Sequence, residues 1–112
     1  FGCGGERDAL KRPVMGRITC ELSDVVIVTS DNPRGEDPLQ IIRDIEGGMN
    51  GYESKYQILP DRREAIVSAI QHAGESDIVL LAGKGHETAQ TWADRTTPFD
   101  DRKVAQFALT NL

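Results

Sequence analysis

The sequence predicts an α/β domain built on an open, mostly parallel sheet. Short β-branched apolar runs, DVVIVTS at 24–30 and DIVLLAG at 77–83, are typical of strands that are buried on both faces of such a sheet. These runs alternate with segments of helical period, and an alternation of strand and helix favours parallel strands joined by right-handed crossovers. The length of 112 residues fits one domain.

The chain opens with FGCGG, in which Phe1 is expected to end a strand because the glycines that follow are typical of the loop after one. The sequence is therefore expected to be part of a longer one. Pro13 suits the first turn of a helix. The apolar face of this helix is predicted from residues four apart: Val14, Ile18 and Leu22.

The second helix has clear start and stop signals. It follows the strand at 24–30, with Asp37 as its N-cap, Pro38 in its first turn, and Gly47 and Gly48 at its end. Its inward residues are predicted as Leu39, Ile42, and Ile45 or Ile41.

The second half of the chain repeats the alternation. A short strand is predicted at 55–59, a helix capped by Asp61 and ended by Gly74, and the clearest strand of the chain at 77–83. We further predict a short helix from Glu87 and a final helix over 102–109. Apolar positions are predicted as Ala65, Ile66, Ala69, Ile70 and Ala73 in the earlier helix, and Val104, Phe107 and Ala108 in the last.

Composition narrows the classes of function. Hydrophobic residues make up 38% and charged residues 28% of the chain, as in globular proteins, and no apolar run is long enough to span a bilayer. Without a basic and apolar leader, the expected location is the cytoplasm. The net charge of −5 argues against a surface for nucleic acid. Cys3 and Cys20 show no metal-ligand spacing and are expected to be reduced.

Three loops follow predicted strands: GCGGERD, SDNPRGED and GKGHE. Ligands bind at the carboxyl ends of the strands in open α/β sheets, so these loops are candidates for one site. Asp31, Asn32 and Pro33 are ordinary turn residues. Arg34, next to a helix start, adds a planar fork of donors that suits a carboxylate or a phosphate.

The other two loops allow more than one interpretation. GKGHE lacks the spacing of a phosphate-binding P-loop, and is either a turn with surface charges or a loop whose carbonyls and Glu87 hold a ligand ammonium. His86 has no second ligand at metal-binding spacing, which favours a structural role. The cations Arg7, Lys11 and Arg12 form either a solvated charge run or a contact for an anionic substrate.

Taken together, FGCGGERDALKRPVMG, VVIVTSDNPRGEDPLQIIRDI, DRREAI and DIVLLAGKGHETAQ closely resemble the C-terminal domain of the Mur ligase family over nearly the whole chain. The intact DNPR resembles the branch that adds meso-diaminopimelate rather than L-lysine. The resemblance implies a three-layer Rossmann-like domain that here lacks its first strand and helix, over residues 1–112. No metal site is expected in it.

The resemblance also implies a reaction. The family uses ATP and Mg²⁺ to activate the D-glutamate carboxylate of UDP-MurNAc-L-Ala-D-Glu as an acyl phosphate, which the amine of diaminopimelate attacks. The nucleotide precursor and ATP are held mainly by the other domains, so this chain alone is expected to be inactive, with no general base of its own.

Site residues follow by position. Those implied for meso-diaminopimelate are Arg7, Asp31, Asn32, Pro33, Arg34, Gly83 and Glu87, while Lys11 and Arg12 fall where the family loop approaches the nucleotide. The loop departs from the family pattern at positions 6, 9 and 10. Two other classes of function stay open: a free-standing Rossmann-like module for a nucleotide or phosphorylated metabolite, and an interaction domain without a pocket.

Overall fold

The computed structural model describes residues 1–112 as four helices and four short strands in a mixed α/β fold. Strands β1 and β2 pair in parallel, with Val26 opposite Tyr56, and strands β3 and β4 form an antiparallel hairpin. The elements in chain order are α1 Lys11–Leu22, β1 Val26–Val28, α2 Pro38–Glu46, β2 Tyr56–Ile58, α3 Arg62–His72, β3 Ala89–Thr91, β4 Thr96–Pro98 and α4 Asp101–Thr110.

Local signals placed three of the helices correctly. The Asp37 carboxylate accepts a hydrogen bond from the Leu39 amide at the start of α2, and Asp61 accepts one from the Glu64 amide at the start of α3. Asp100 does the same for α4. Each cap satisfies one of the amide groups that a helix start leaves without a partner.

Two apolar clusters form the core. The larger lies between α1, α2 and the parallel strands, and the smaller joins α3 to α4. The buried members of the first are Cys3, Cys20, Val26, Val28, Ile41, Ile42, Ile45 and Met49, and those of the second are Ile66, Ile70, Val104 and Ala108.

The predicted inner face of α1 was wrong. Val14, Ile18 and Leu22 are exposed, and the helix instead buries the side that carries Gly16 and Cys20. The reason is the close approach of α2, since a Cβ at position 16 would overlap the Ile45 carbonyl oxygen. Only a small side chain fits between the two helices, so the larger apolar residues lie outside. Leu39 and Phe107, also predicted to be inward, are about half exposed.

The segment 77–83 was predicted as the clearest strand, and it forms none. It pairs with no strand, and Ile78 and Leu80 are 94% and 81% exposed. An apolar slot of about 630 Å³ separates this segment from β1. The apolar composition of 77–83 indicates a preference for burial, but a strand also needs backbone hydrogen bonds from a neighbouring strand. Strand β1 forms its backbone hydrogen bonds with β2 and Phe1 and none with 77–83.

The short helix predicted from Glu87 was also wrong, because residues 89–98 form the β3–β4 hairpin. Threonines are enriched in it, and β-branched residues favour strands over helices. No helix in the structure is both long enough and apolar enough to cross a membrane.

Candidate functional site

The three candidate loops pack against one another at the end of β1. The Gly5 amide donates to the Asn32 carbonyl oxygen at 2.7 Å, and a Cβ at position 5 would overlap the carbonyl oxygen of Pro33. Pro33 itself is fully buried. The first loop therefore lies directly on the 31–34 loop, and only glycine allows that contact.

Strand β3 supports the 31–34 loop from the other side. The Gln90 side chain donates to the Asp31 carbonyl oxygen at 2.7 Å, and the Arg34 amide donates to the Thr91 carbonyl oxygen at 3.0 Å. The Thr91 amide donates to Asn32 Oδ1, also at 3.0 Å. Sequence reasoning missed these supports because it assigned this segment to a helix.

The side chains of Arg34 and Arg7 both lie next to Gly4. A Cβ at position 4 would lie 2.8 Å from Arg34 Nη1 and 3.5 Å from Arg7 Cγ. Arg34 adopts a positive φ of 53°, a strained conformation for a residue with a side chain. Its Nη1 donates to the Gly5 carbonyl oxygen at 2.8 Å, which holds the guanidinium on the first loop.

No carboxylate in the chain pairs with either of these arginines. Arg34 donates to the Gly5 carbonyl, and Arg7 donates only to the Glu6 carbonyl at 3.2 Å. Every ion pair of the structure involves other residues. Arg34 is half-buried and Arg7 is exposed, so each guanidinium can reach a ligand at the surface.

Acidic groups also lie on these loops. The Asp31 carboxylate contacts Gly83, where a Cβ would lie 3.5 Å from Oδ2, and Gly83 adopts a φ of 115°. Glu87 is exposed, and its amide donates to the Lys84 carbonyl oxygen in the turn after Gly83. The candidate loops thus carry both cationic and acidic groups.

Arg12 occupies a structural position instead of a ligand-facing one. Its side chain is 3% exposed and pairs with Glu36 at 3.0 Å and Asp44 at 2.9 Å, while Nη2 also donates to the Gly4 carbonyl oxygen. Hydrogen bonds from Arg12 hold the pKa of Glu36 below its usual range. Because the guanidinium is enclosed, the predicted nucleotide contact by Arg12 has no geometric support. Lys11 is exposed at the start of α1, and its predicted contact stays a prediction.

Lys84 is the site residue that sequence reasoning overlooked. It was interpreted as a surface side chain, but its side chain is fully buried, and Nζ donates to Asn32 Oδ1 at 2.8 Å. In the sequence, only the flanking Gly83 and Gly85 indicate an unusual turn at this position. In the structure both adopt a positive φ. His86 is exposed, and no group of three or more possible metal ligands occurs in the structure.

The family model described as "Mur ligase, glutamate ligase domain" matches residues 1–85. The chain belongs to the Mur ligase family. UDP-N-acetylmuramoyl-L-alanyl-D-glutamate--2,6-diaminopimelate ligases are similar over almost its whole length. That of Solibacter usitatus is 54% identical over 97% of this chain, and that of Syntrophomonas wolfei is 57% identical over 94%.

A solved structure of a ligase with the same name matches 99% of this chain at 42% identity with a TM-score of 0.91. This confirms the predicted fold class. The chain spans about a fifth of these Mur ligase relatives, 22% of each of the two sequences and 23% of the solved chain.

Proposed function

We propose that this chain is the acceptor-binding domain of an ATP-dependent ligase that adds meso-diaminopimelate to UDP-MurNAc-L-Ala-D-Glu in peptidoglycan synthesis. The observation that supports this most is the pair of guanidiniums, on Arg34 and Arg7, that no carboxylate of the chain neutralises. Two such cations favour a ligand carboxylate, which a planar guanidinium binds through paired hydrogen bonds.

The acidic groups of the site suit the ammonium group of an amino acid. Asp31 and Glu87 offer carboxylates for an ammonium group, and the Asn32 amide adds a hydrogen-bond donor. One end of diaminopimelate carries both an ammonium and a carboxylate. Held by that end, the molecule would leave its other amine free to attack an acyl phosphate, and such orientation lowers the entropic part of the barrier.

The same geometry explains how L-lysine would be rejected. Lysine lacks the second carboxylate, so its binding would leave Arg34 without an anion and bring an ammonium close to it. A site built around a hydrogen-bonding group can reject an analogue that lacks this group by about 10⁴ to 10⁵ in kcat/KM. Arg34 is therefore proposed as the main selectivity residue.

We do not expect this chain to carry the phosphate loop or the metal ligands of an ATP and Mg²⁺ site. GKGHE lacks the P-loop pattern, its only lysine is buried on Asn32, and no cluster of acidic ligands is present for a metal ion. We propose that ATP, Mg²⁺ and the UDP precursor are bound chiefly by the rest of the ligase, and that this chain alone does not catalyse the reaction.

The test is a titration of the ¹⁵N-labelled chain with meso-diaminopimelate, with L-lysine and ATP in parallel. We expect amide shifts at Asn32, Arg34, Gly83 and Glu87 with diaminopimelate only, and their loss in Arg34→Ala. Arg43→Ala is the control, because it removes an arginine from the exposed side of α2, away from the candidate loops.

Shifts of equal size with lysine, or shifts that persist in Arg34→Ala, would contradict the proposal. A response to ATP without one to diaminopimelate would favour the nucleotide-binding module instead. If neither ligand binds to the isolated chain, kcat/KM for diaminopimelate and for lysine is measured on the ligase that contains this domain. A ratio of the two values near one would reject the assignment.

A further inference from the structure

Lys84 is the only lysine that the fold buries. Its side chain has no exposed surface, although lysine is almost never fully buried unless it is paired. Removing an ammonium from water costs several kcal/mol unless partners offset the loss. Its two partners both belong to the 31–34 loop: Asn32 Oδ1 at 2.8 Å and Asp31 Oδ1 at 3.5 Å.

These contacts determine how the Asn32 amide is oriented. Lys84 Nζ and the Thr91 backbone amide can only donate, so the atom that they both approach must be the amide oxygen. With both lone pairs of that oxygen in use, the NH₂ group points the other way. The NH₂ group has no hydrogen-bond partner within the chain, and its nitrogen keeps some accessible surface, so it is free to donate to a ligand.

Lys84 also balances the charge of Asp31. Oδ1 of Asp31 is buried and accepts no hydrogen bond, and Lys84 Nζ is the only cation that pairs with it. Without Lys84, the Asp31 carboxylate would carry an uncompensated charge in the same loop as Arg34, where a ligand carboxylate is proposed to bind. The lysine thus sets both the donor direction of Asn32 and the net charge of the loop.

We infer that Lys84 is a positioning residue that determines acceptor affinity and selectivity by fixing the Asn32 amide as a donor and neutralising Asp31. This inference rests on the proposed function for the identity of the ligand, an amino acid with a second carboxylate. Lys84 itself does not touch that ligand, because its ammonium is enclosed beneath the loop.

The first measurement needs no variant and no ligand. In the wild-type chain, the Lys84 ammonium protons should exchange with water at least tenfold more slowly than those of Lys11 and Lys103, which are exposed. Exchange at the same rate would overturn the inference, because it would mean that the buried contact does not exist in solution.

The second measurement separates positioning from a general loss of structure. In the ligase that contains this domain, Lys84→Met should raise KM for diaminopimelate at least tenfold and leave KM for ATP unchanged. Lys84→Gln retains a donor without the charge and should recover part of the loss. Lys103→Met is the control, and should change neither constant.

Equal increases of both KM values, or a Lys84→Met enzyme with unchanged KM for diaminopimelate, would overturn the inference. If Lys84→Met does not fold, the Gln variant and the exchange measurement still decide. The two proposals can also fail separately. The proposed function fails if the wild-type ligase does not bind diaminopimelate. The orienting role of Lys84 still stands in that case if its ammonium protons exchange slowly and the Asn32 NH₂ signal shifts in Lys84→Gln.

Discussion

Replacing Arg62 with methionine should destabilise this domain more than any surface change. The Arg62 side chain is 2% exposed and donates through Nε and Nη2 to both carboxylate oxygens of Asp101, at 2.8 and 2.7 Å. It also donates to the carbonyl oxygens of Ser30 and Ala82, at 3.1 and 3.3 Å. The variant removes these four bonds and leaves the Asp101 charge without a partner at 5% exposure.

Breaking a buried pair by removing one partner costs about 3–5 kcal/mol. Most domains are stable by only about 5–15 kcal/mol. With an m-value of about 2 kcal/mol/M, the urea midpoint should fall by about 2 M. Arg17→Met is the matched control, because the Arg17–Glu21 pair is exposed at 58% and 49% and should contribute under about 0.5 kcal/mol.

Urea unfolding of wild type, Arg62→Met, Asp101→Ala and the double variant measures this directly. We expect the double variant to lose much less stability than the sum of the two single losses, because each single change leaves the other charge unpaired. A loss for Arg62→Met no larger than that for Arg17→Met would refute the reasoning, as would strict additivity.

Three further predictions concern other contacts. Gly5→Ala should destabilise the domain by about 1–3 kcal/mol in urea unfolding, because its Cβ overlaps the Pro33 carbonyl, whereas Gly74→Ala has room and should cost little. Hydrogen bonds from Arg12 hold the pKa of Glu36 in the folded domain below its ordinary 4.5. The Arg12–Glu36 contact therefore stabilises the domain fully above about pH 4.5, and this contribution is lost as the pH falls through the pKa of Glu36 in the folded state. The urea midpoint of wild type should therefore fall more between pH 6 and pH 3 than that of Arg12→Met. Burial raises the pKa of the Cys20 thiol, so a thiol reagent at pH 7 should modify it only as fast as the domain unfolds.

The features that the sequence predicted correctly depend on neighbours in the chain. Asp37 followed by Pro38 is a complete helix start within two residues, and the cap formed as expected. The run at 24–30 contains β1, which lies in a two-stranded parallel sheet with β2. For these elements, propensity and tertiary contacts favour the same structure.

The features that failed depend on distant partners. Whether 77–83 becomes a strand is decided by a neighbouring backbone, and its composition carries no information on that. The inner face of α1 is decided by how closely α2 approaches Gly16. The periodicity predicted that the most apolar face of α1 lies inward, but the contact with the Ile45 backbone requires the face with the smallest side chain, Gly16.

The convergence of the candidate site was partly predictable. Loops after parallel strands lie at one edge of a sheet, and this rule predicted that Arg7, Arg34 and Gly83 lie in one region, although 77–83 does not form the strand from which Gly83 was placed. Lys84 was not predictable in the same way, because a buried lysine needs an acceptor and its acceptor is 52 residues away. Apart from the flanking glycines, nothing near Lys84 in the sequence distinguishes it from a solvated lysine.

Three buried cations hold the candidate loops together in this net acidic chain. Arg12 joins the first loop to Glu36, Arg62 joins the end of β1 to Ala82 just before Gly83, and Lys84 joins Gly83 to Asn32. Each of these cations is paired with a carboxylate and enclosed. Acidic residues therefore compensate the three cations that hold the loops together, whereas Arg7 and Arg34 on the same loops have no carboxylate partner. A binding site for a carboxylate arises from this division, because an external anion is the partner that the fold itself does not supply to them.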